Sequence, residues 1–133
     1  VVTRKSRSEI ERMRRAGRVV AEVLDLIEAE LRPGVSTADL DALAEAHIRA
    51  SGGTPSFMGY PGLNPHRPFP ASVCISIDDE IVHGIPGRRT VRDGQIVSVD
   101  AGAILDGWHG DAARTFYVGQ PPAEVAELID VTR

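Results

Sequence analysis

The sequence is poor in the features that mark several large classes of protein. It has one cysteine, Cys74, in 133 residues. No internal disulfide is therefore possible, and a lone thiol fits a reducing compartment, so a cytoplasmic location is expected. Basic residues are in the minority: 15 Lys and Arg against 19 Asp and Glu give a net charge of −4. That balance lacks the basic excess of a nucleic-acid binder, and no nucleic-acid-binding motif is visible. No apolar run is long enough to span a bilayer, and the basic, polar stretch from Val1 to Arg18 lacks the apolar segment of a secretory signal, so no membrane partner is expected. There is no internal repeat and no low-complexity segment.

What is present is the balance of an ordinary globular protein, 42% hydrophobic and 26% charged, of a length that supports one domain at most. Val1 stands where an initiator methionine is usual. At the other end Val125, Leu128, Ile129 and Thr132 keep helical spacing up to the last residues without a C-cap. The expectation is a truncated chain, with residues 1–133 forming a single incomplete domain.

Ser8 and Glu11 make a capping-box signature for a first helix, with Ile10, Met13, Val20, Leu24, Ile27 and Leu31 on one stripe. Pro33-Gly34 closes it. Ser36 caps a second helix, striped by Leu40, Leu43, Ala44 and Ile48 and stopped by Gly52-Gly53. From Thr54 to Pro70 the chain reads as an irregular loop in which Phe57, Tyr60 and Phe69 serve as core or pocket wall. Val73 to Ile77 reads as a strand, Asp78-Asp79 as a turn, and Glu80 to Val82 as the start of another strand. Ile96 to Leu105 and Trp108 to Val118 form a long hairpin, and a last helix follows Pro121-Pro122. Helices followed by strands give an α+β fold with an antiparallel sheet and helices on one face.

The hairpin carries the chemistry. Asp106-Gly107 is a two-residue turn signal, so Leu105 faces Trp108 and Gly102 faces Asp111. Asp100 shares a face with Gly102, because side chains alternate along a strand. Asp100 and Asp111 are then diagonal neighbours, about 7–8 Å apart at the backbone. Two carboxylates so placed repel unless something positive lies between them, and two divalent ions about 3.5–4 Å apart fit that space. Asp106 reads as a turn residue. His83, between Val82 and Gly84-Ile85-Pro86, is a surface loop residue or a group that hydrogen-bonds a substrate amide. His109 is assigned to the opposite face from Asp111, and His47 and His66 to solvent. Cys74 reads as a small buried group lining a pocket, since no base is placed to activate it.

Two segments resemble a known family. Val73-Cys-Ile-Ser-Ile-Asp-Asp-Glu-Ile-Val-His83-Gly-Ile-Pro is similar to the substrate-histidine segment of type I methionine aminopeptidases. Ile96-Val-Ser-Val-Asp100, followed by Asp106-Gly-Trp-His-Gly-Asp111, is similar to their first metal-ligand hairpin. The resemblance runs from about Ser8 to the end of the chain and covers the first αβ half of the family's pita-bread catalytic domain. It implies a dinuclear-metal aminopeptidase that removes the N-terminal methionine of nascent proteins in association with the ribosome, with two divalent ions (Co, Mn, Fe or Zn). Asp100 would chelate one ion and Asp111 bridge both. His83 would contact the substrate beside the scissile amide, and Cys74 with Tyr60 or Phe69 would line the methionine pocket. The family's other ligands, one His and two Glu from the second half, have no counterpart after Val118, so this chain alone is expected to be inactive. The stretch from Gly59 to Pro70 is longer than the usual pocket loop, and Val82 stands where a cysteine is common. The alternatives are a non-catalytic pita-bread relative that binds peptides or proteins, and a proline-specific peptidase of the same fold.

Overall fold

The computed structural model describes residues 2–62 and 66–132; Val1, Arg133 and positions 63–65, the last inside the expected pocket loop, lie outside the described residues. The order is α1 (Arg7–Glu30), α2 (Thr37–Ala50), β1 (Thr54–Pro55), β2 (Val73–Ile77), β3 (Ile96–Leu105), β4 (Trp108–Tyr117) and α3 (Ala123–Val131).

The first helix begins earlier than expected. Two Ser-x-x-Glu signatures overlap here, and the upstream one closes: Glu9 N–H donates to Ser6 Oγ at 3.3 Å, and Ser6 N–H donates to Glu9 Oε2 at 2.7 Å. Hydrogen bonding to Ser6, led by its backbone N–H, holds the Glu9 carboxyl below its ordinary pKa. The buried stripe is Ala16, Val19, Val20, Val23, Leu24 and Ile27, whereas Ile10 and Met13 stay 46% and 39% exposed. The N-terminal turns lie beside the hairpin tip instead, where Arg15 pairs with Asp106 at 2.9 Å and Lys5 sits over the Trp108 ring. The acidic residues late in α1 also bind outward: Asp25 and Glu28 both hold Arg114 of β4, at 2.8 and 3.0 Å. His47 is not simply solvated, because its Nε2 lies 2.9 Å from Glu22 of α1 and ties the two helices together.

β3 is the centre of an antiparallel sheet. β4 pairs along its whole length on one side, and β1 and β2 lie end to end on the other. Val97, Val99, Ala101 and Ala103 of β3 alternate inward and are fully buried with the apolar residues of α1 and α2. Burying such side chains is worth about 1.5–3 kcal/mol for each Val or Leu and is the main term holding this face together. The opposite face of β3 carries Ser98, Asp100 and Gly102, and is left for the site.

Residues 80–82 are not a strand. Asp78 takes a left-handed conformation (φ 56°), and Glu80 folds back to accept from Ile77 N–H and to grip Arg89 at 2.6 Å. With the chain turned on itself, Ile81 and Val82 are 89% and 64% exposed.

Candidate metal centre

The Asp106-Gly107 turn sets the site. Both residues have positive φ, 51° and 78°. That is the backbone of the tight hairpin turn whose twist matches the strands. The register follows: Leu105 opposite Trp108, Gly102 opposite Asp111, and Asp100 opposite Ala113. Asp100 and Asp111 therefore lie diagonally on one face, which also carries the Ser98–Thr115 hydroxyl pair at 3.0 Å. On the other side of β3, Cys74 is the register partner of Asp100. Burial pushes the Asp100 carboxyl above its ordinary pKa, the Asp111 charge adds to this, and His83 partly opposes it. The Cys74 thiol is pushed up to about 11, by burial first and then by Asp100, Asp111 and Asp41. It is therefore protonated at neutral pH and is no nucleophile.

Burial and the neighbouring Asp111 charge disfavour the ionised form of Asp100, a cost that a bound divalent cation would offset. The donors are carboxylate oxygens, suited to hard and borderline metals. The donor set is incomplete: among the described residues no group of three His, Cys, Asp or Glu is placed to hold an ion. The residues fit a metal as part of a site rather than as a whole one.

Gly102, beside the two carboxylates, lets the loop after β1 pack closely against the strand. A Cβ there would lie 2.8 Å from Phe57 Cε1 and 2.9 Å from Ser56 Cβ. Phe57 thus packs over the strand at the point where Asp111 faces it. His109 is on the same face as Asp111, contrary to the expectation, since residues two apart in a strand point the same way. Its Nδ1 lies 3.1 Å from Ser56 Oγ, which links the hairpin to the loop after β1.

His83 is held by its neighbour. Gly84 lies so close to β2 that a Cβ would come within 2.1 Å of the Ile75 carbonyl oxygen. Ile75 N–H donates to Gly84 O at 2.9 Å, and Gly84 N–H donates to Ser76 Oγ at 3.1 Å. This docking leaves His83 in a left-handed conformation, φ 61°. A non-glycine residue there is strained, and such strain persists only when the surroundings fix it. His83 lines a cleft of about 740 Å³ together with Asp100, Cys74, Phe57, Tyr60 and Phe69.

Five of the six residues singled out in the sequence thus share one cleft, and Asp111 lies on the same sheet face next to it. Phe57 belongs with Tyr60 and Phe69 as wall, and Ile85 and Arg67, which the sequence reading passed over, line the cleft as well. Asp41 was also missed. From α2 its Oδ1 accepts from Ser72 and Val73 N–H, at 2.8 and 3.0 Å, and so fixes the start of β2 and the position of Cys74. No local motif announces a contact made 31 residues away.

The sheet thus carries helices on one face and, on the other, a carboxylate pair beside an apolar cleft. The chain belongs to metallopeptidase family M24, whose family profile matches residues 11–133, and it forms the first αβ half of the pita-bread fold. It is 52% identical over 130 residues to a methionine aminopeptidase of Clostridium acetobutylicum, covering 97% of this chain and 50% of that protein. It superposes on the crystal structure of methionine aminopeptidase from Rickettsia prowazekii with a TM-score of 0.89 at 36% identity, covering 99% of this chain and 51% of that one. A Xaa-Pro dipeptidase from Bacillus anthracis shares the fold, with a TM-score of 0.75 at 24% identity over 96% of this chain and 33% of that one. The chain spans about half the length of the curated relatives it matches. No helix of the described residues is long and apolar enough to cross a membrane.

Proposed function

We propose that the protein is a metal-dependent aminopeptidase that removes the N-terminal methionine of nascent polypeptides, in the cytoplasm and at or near the ribosome. In this reading residues 1–133 are the first half of its catalytic domain. The observation that carries it is the diagonal placement of Asp100 and Asp111 on one face of the hairpin, with Asp100 in a cleft walled by Phe57, Tyr60 and Phe69 and Asp111 beside it.

Asp100 would hold one divalent ion and Asp111 would share two, drawn from Co, Mn, Fe or Zn. Two carboxylates leave each ion short of its usual complement of about four to six ligands, so further ligands must come from beyond this set. Bound metal would supply Lewis-acid polarisation of the scissile carbonyl and a nucleophile at neutral pH. The chain's own residues do the rest. Phe57, Tyr60 and Phe69 with the protonated Cys74 form an apolar wall that accepts a methionine side chain and keeps water from it. His83, fixed by Gly84, presents its imidazole to the peptide bond, where it donates or accepts a hydrogen bond and so orients the amide.

The test is a peptide panel assayed with the full-length, metal-loaded protein. Methionine release from Met-Ala-Ser, with no release of the first residue from Ala-Pro-Ser, is the expected result. Cleavage confined to the X-Pro peptide assigns a proline-specific peptidase. Peptide binding without cleavage assigns a non-catalytic relative.

A further inference from the structure

The strand that carries Asp111 is seated on a helix. Among the described residues β4 pairs only with β3, whereas β3, which carries Asp100, is paired on both sides. The ladder to β3 sets where β4 lies within the sheet, but its height across the sheet depends on what packs beneath it. That support is α1. Gly110 is buried opposite Ala103 on the helix side of the hairpin, and Asp111, the next residue, points to the other face. A Cβ at position 110 would lie 2.5 Å from Ala16 C, 2.6 Å from Ala16 O and 2.6 Å from Gly17 N. All three are helix backbone, which has no flexible end to move aside, so only glycine lets strand and helix touch here. α1 also holds β4 on either side of this contact. Arg15 pairs with Asp106 in the turn at 2.9 Å, and Arg114 pairs with Asp25 and Glu28 at 2.8 and 3.0 Å. Asp111 thus sits between two tethers, one residue from the closest approach of the two backbones.

We propose that Gly110 is a positioning residue for the metal centre: its contact with α1 sets the height of Asp111 relative to Asp100. The inference rests on the reading that these two carboxylates share divalent ions. Gly110→Ala must part strand from helix by roughly 0.8 Å to restore ordinary contact, and a metal constellation tolerates a displacement of about 0.5 Å. β3 is held between its neighbours, so Asp100 stays in place while Asp111 moves.

The experiment measures Mn²⁺ affinity by calorimetry, with bound metal counted, on the full-length protein and on its G110A, R114Q and I48V variants, each well below its Tm. Ile48 is fully buried in α2 and lies against Gly53, away from β4, so I48V is the control for lost stability alone. G110A should bind Mn²⁺ about 10–100-fold more weakly, the range seen when a group that orients a metal ligand is lost. R114Q unties β4 from Asp25 and Glu28 without adding bulk and should lose about two- to five-fold. I48V should melt lower yet bind as the parent does. A crystal structure of G110A should show Asp111 displaced relative to Asp100. Parent-like affinity in G110A, an unmoved Asp111, or an equal loss of affinity in I48V overturns the proposal. If G110A does not fold, R114Q decides: weakened binding supports the proposal and parent-like binding overturns it. If the parent itself binds no Mn²⁺, the metal reading fails by itself, and the place of Asp111 in the G110A crystal still decides whether Gly110 sets it.

Discussion

Replacing Gly84 by alanine should uncouple His83 from the sheet. The added Cβ would lie 2.1 Å from Ile75 O, 2.7 Å from Ile75 C and 2.9 Å from Ser76 Cα. All three are backbone atoms of β2, and Ile75 is paired with Val99 in the centre of the sheet. A strand held on its other side cannot move aside as a flexible side chain would. If the sheet yields, overpacking costs about 1–3 kcal/mol. If the 83–84 segment lifts instead, the Ile75 N–H to Gly84 O and Gly84 N–H to Ser76 Oγ bonds are lost, at about 1 kcal/mol each. Either route gives a loss of about 1–3 kcal/mol in urea denaturation. The second also frees His83 to leave its left-handed conformation and withdraw its ring from the cleft. The ring resonances of His83 in NMR report that movement directly. Gly87→Ala is the control, since nothing lies within 4 Å of a Cβ at that position and its cost should stay under about 0.5 kcal/mol. A G84A protein as stable as its parent, with unshifted His83 resonances, would show that Gly84 does not hold His83 in place.

Further outcomes follow from the same contacts. Asp41→Ala leaves the Ser72 and Val73 N–H groups without their acceptor and should cost about 2–4 kcal/mol, while Asp41→Asn keeps an acceptor oxygen and loses less; denaturant midpoints compare the two. Asp100 has a raised pKa in the fold, so its contribution is fully present below the ordinary carboxylate range and is lost as pH rises through the raised value. In chelator, D100N should therefore lack that decline and melt higher than the parent at pH 7, and added Mn²⁺ should raise the Tm of the parent but not of the variant. Cys74, with its thiol pushed up to about 11, should react with iodoacetamide at pH 7.5 far more slowly than free cysteine, as followed by mass spectrometry.

The hairpin was legible because its signals are local. Asp106-Gly107 demands positive φ at both positions, and a period of two then assigns every face from Ile96 to Tyr117. His109 obeys the same period, since it lies two residues from Asp111 in β4 and shares its face. The second helix was legible from Ser36, whose Oγ accepts from Asp39 N–H at 3.1 Å. The 80–82 segment was not, because its apolar residues suit a strand while Glu80 makes a turn through contacts to Ile77 and to Arg89, which lies nine residues on. The cleft was half legible. Its aromatics and His83 stand out in the sequence, but the docking of Gly84 on β2 and the reach of Asp41 across from α2 exist only once the sheet and helices have assembled.

In the proposed site Asp100 and Asp111 hold the metal of an aminopeptidase. Methionine release from Met-Ala-Ser by the full-length protein with saturating Mn²⁺ decides this, alongside D100N and D111N, with bound metal counted in each. Release by the parent is expected, with metal lost from both variants and activity lost with it. Variants that keep their metal and their rate would contradict it.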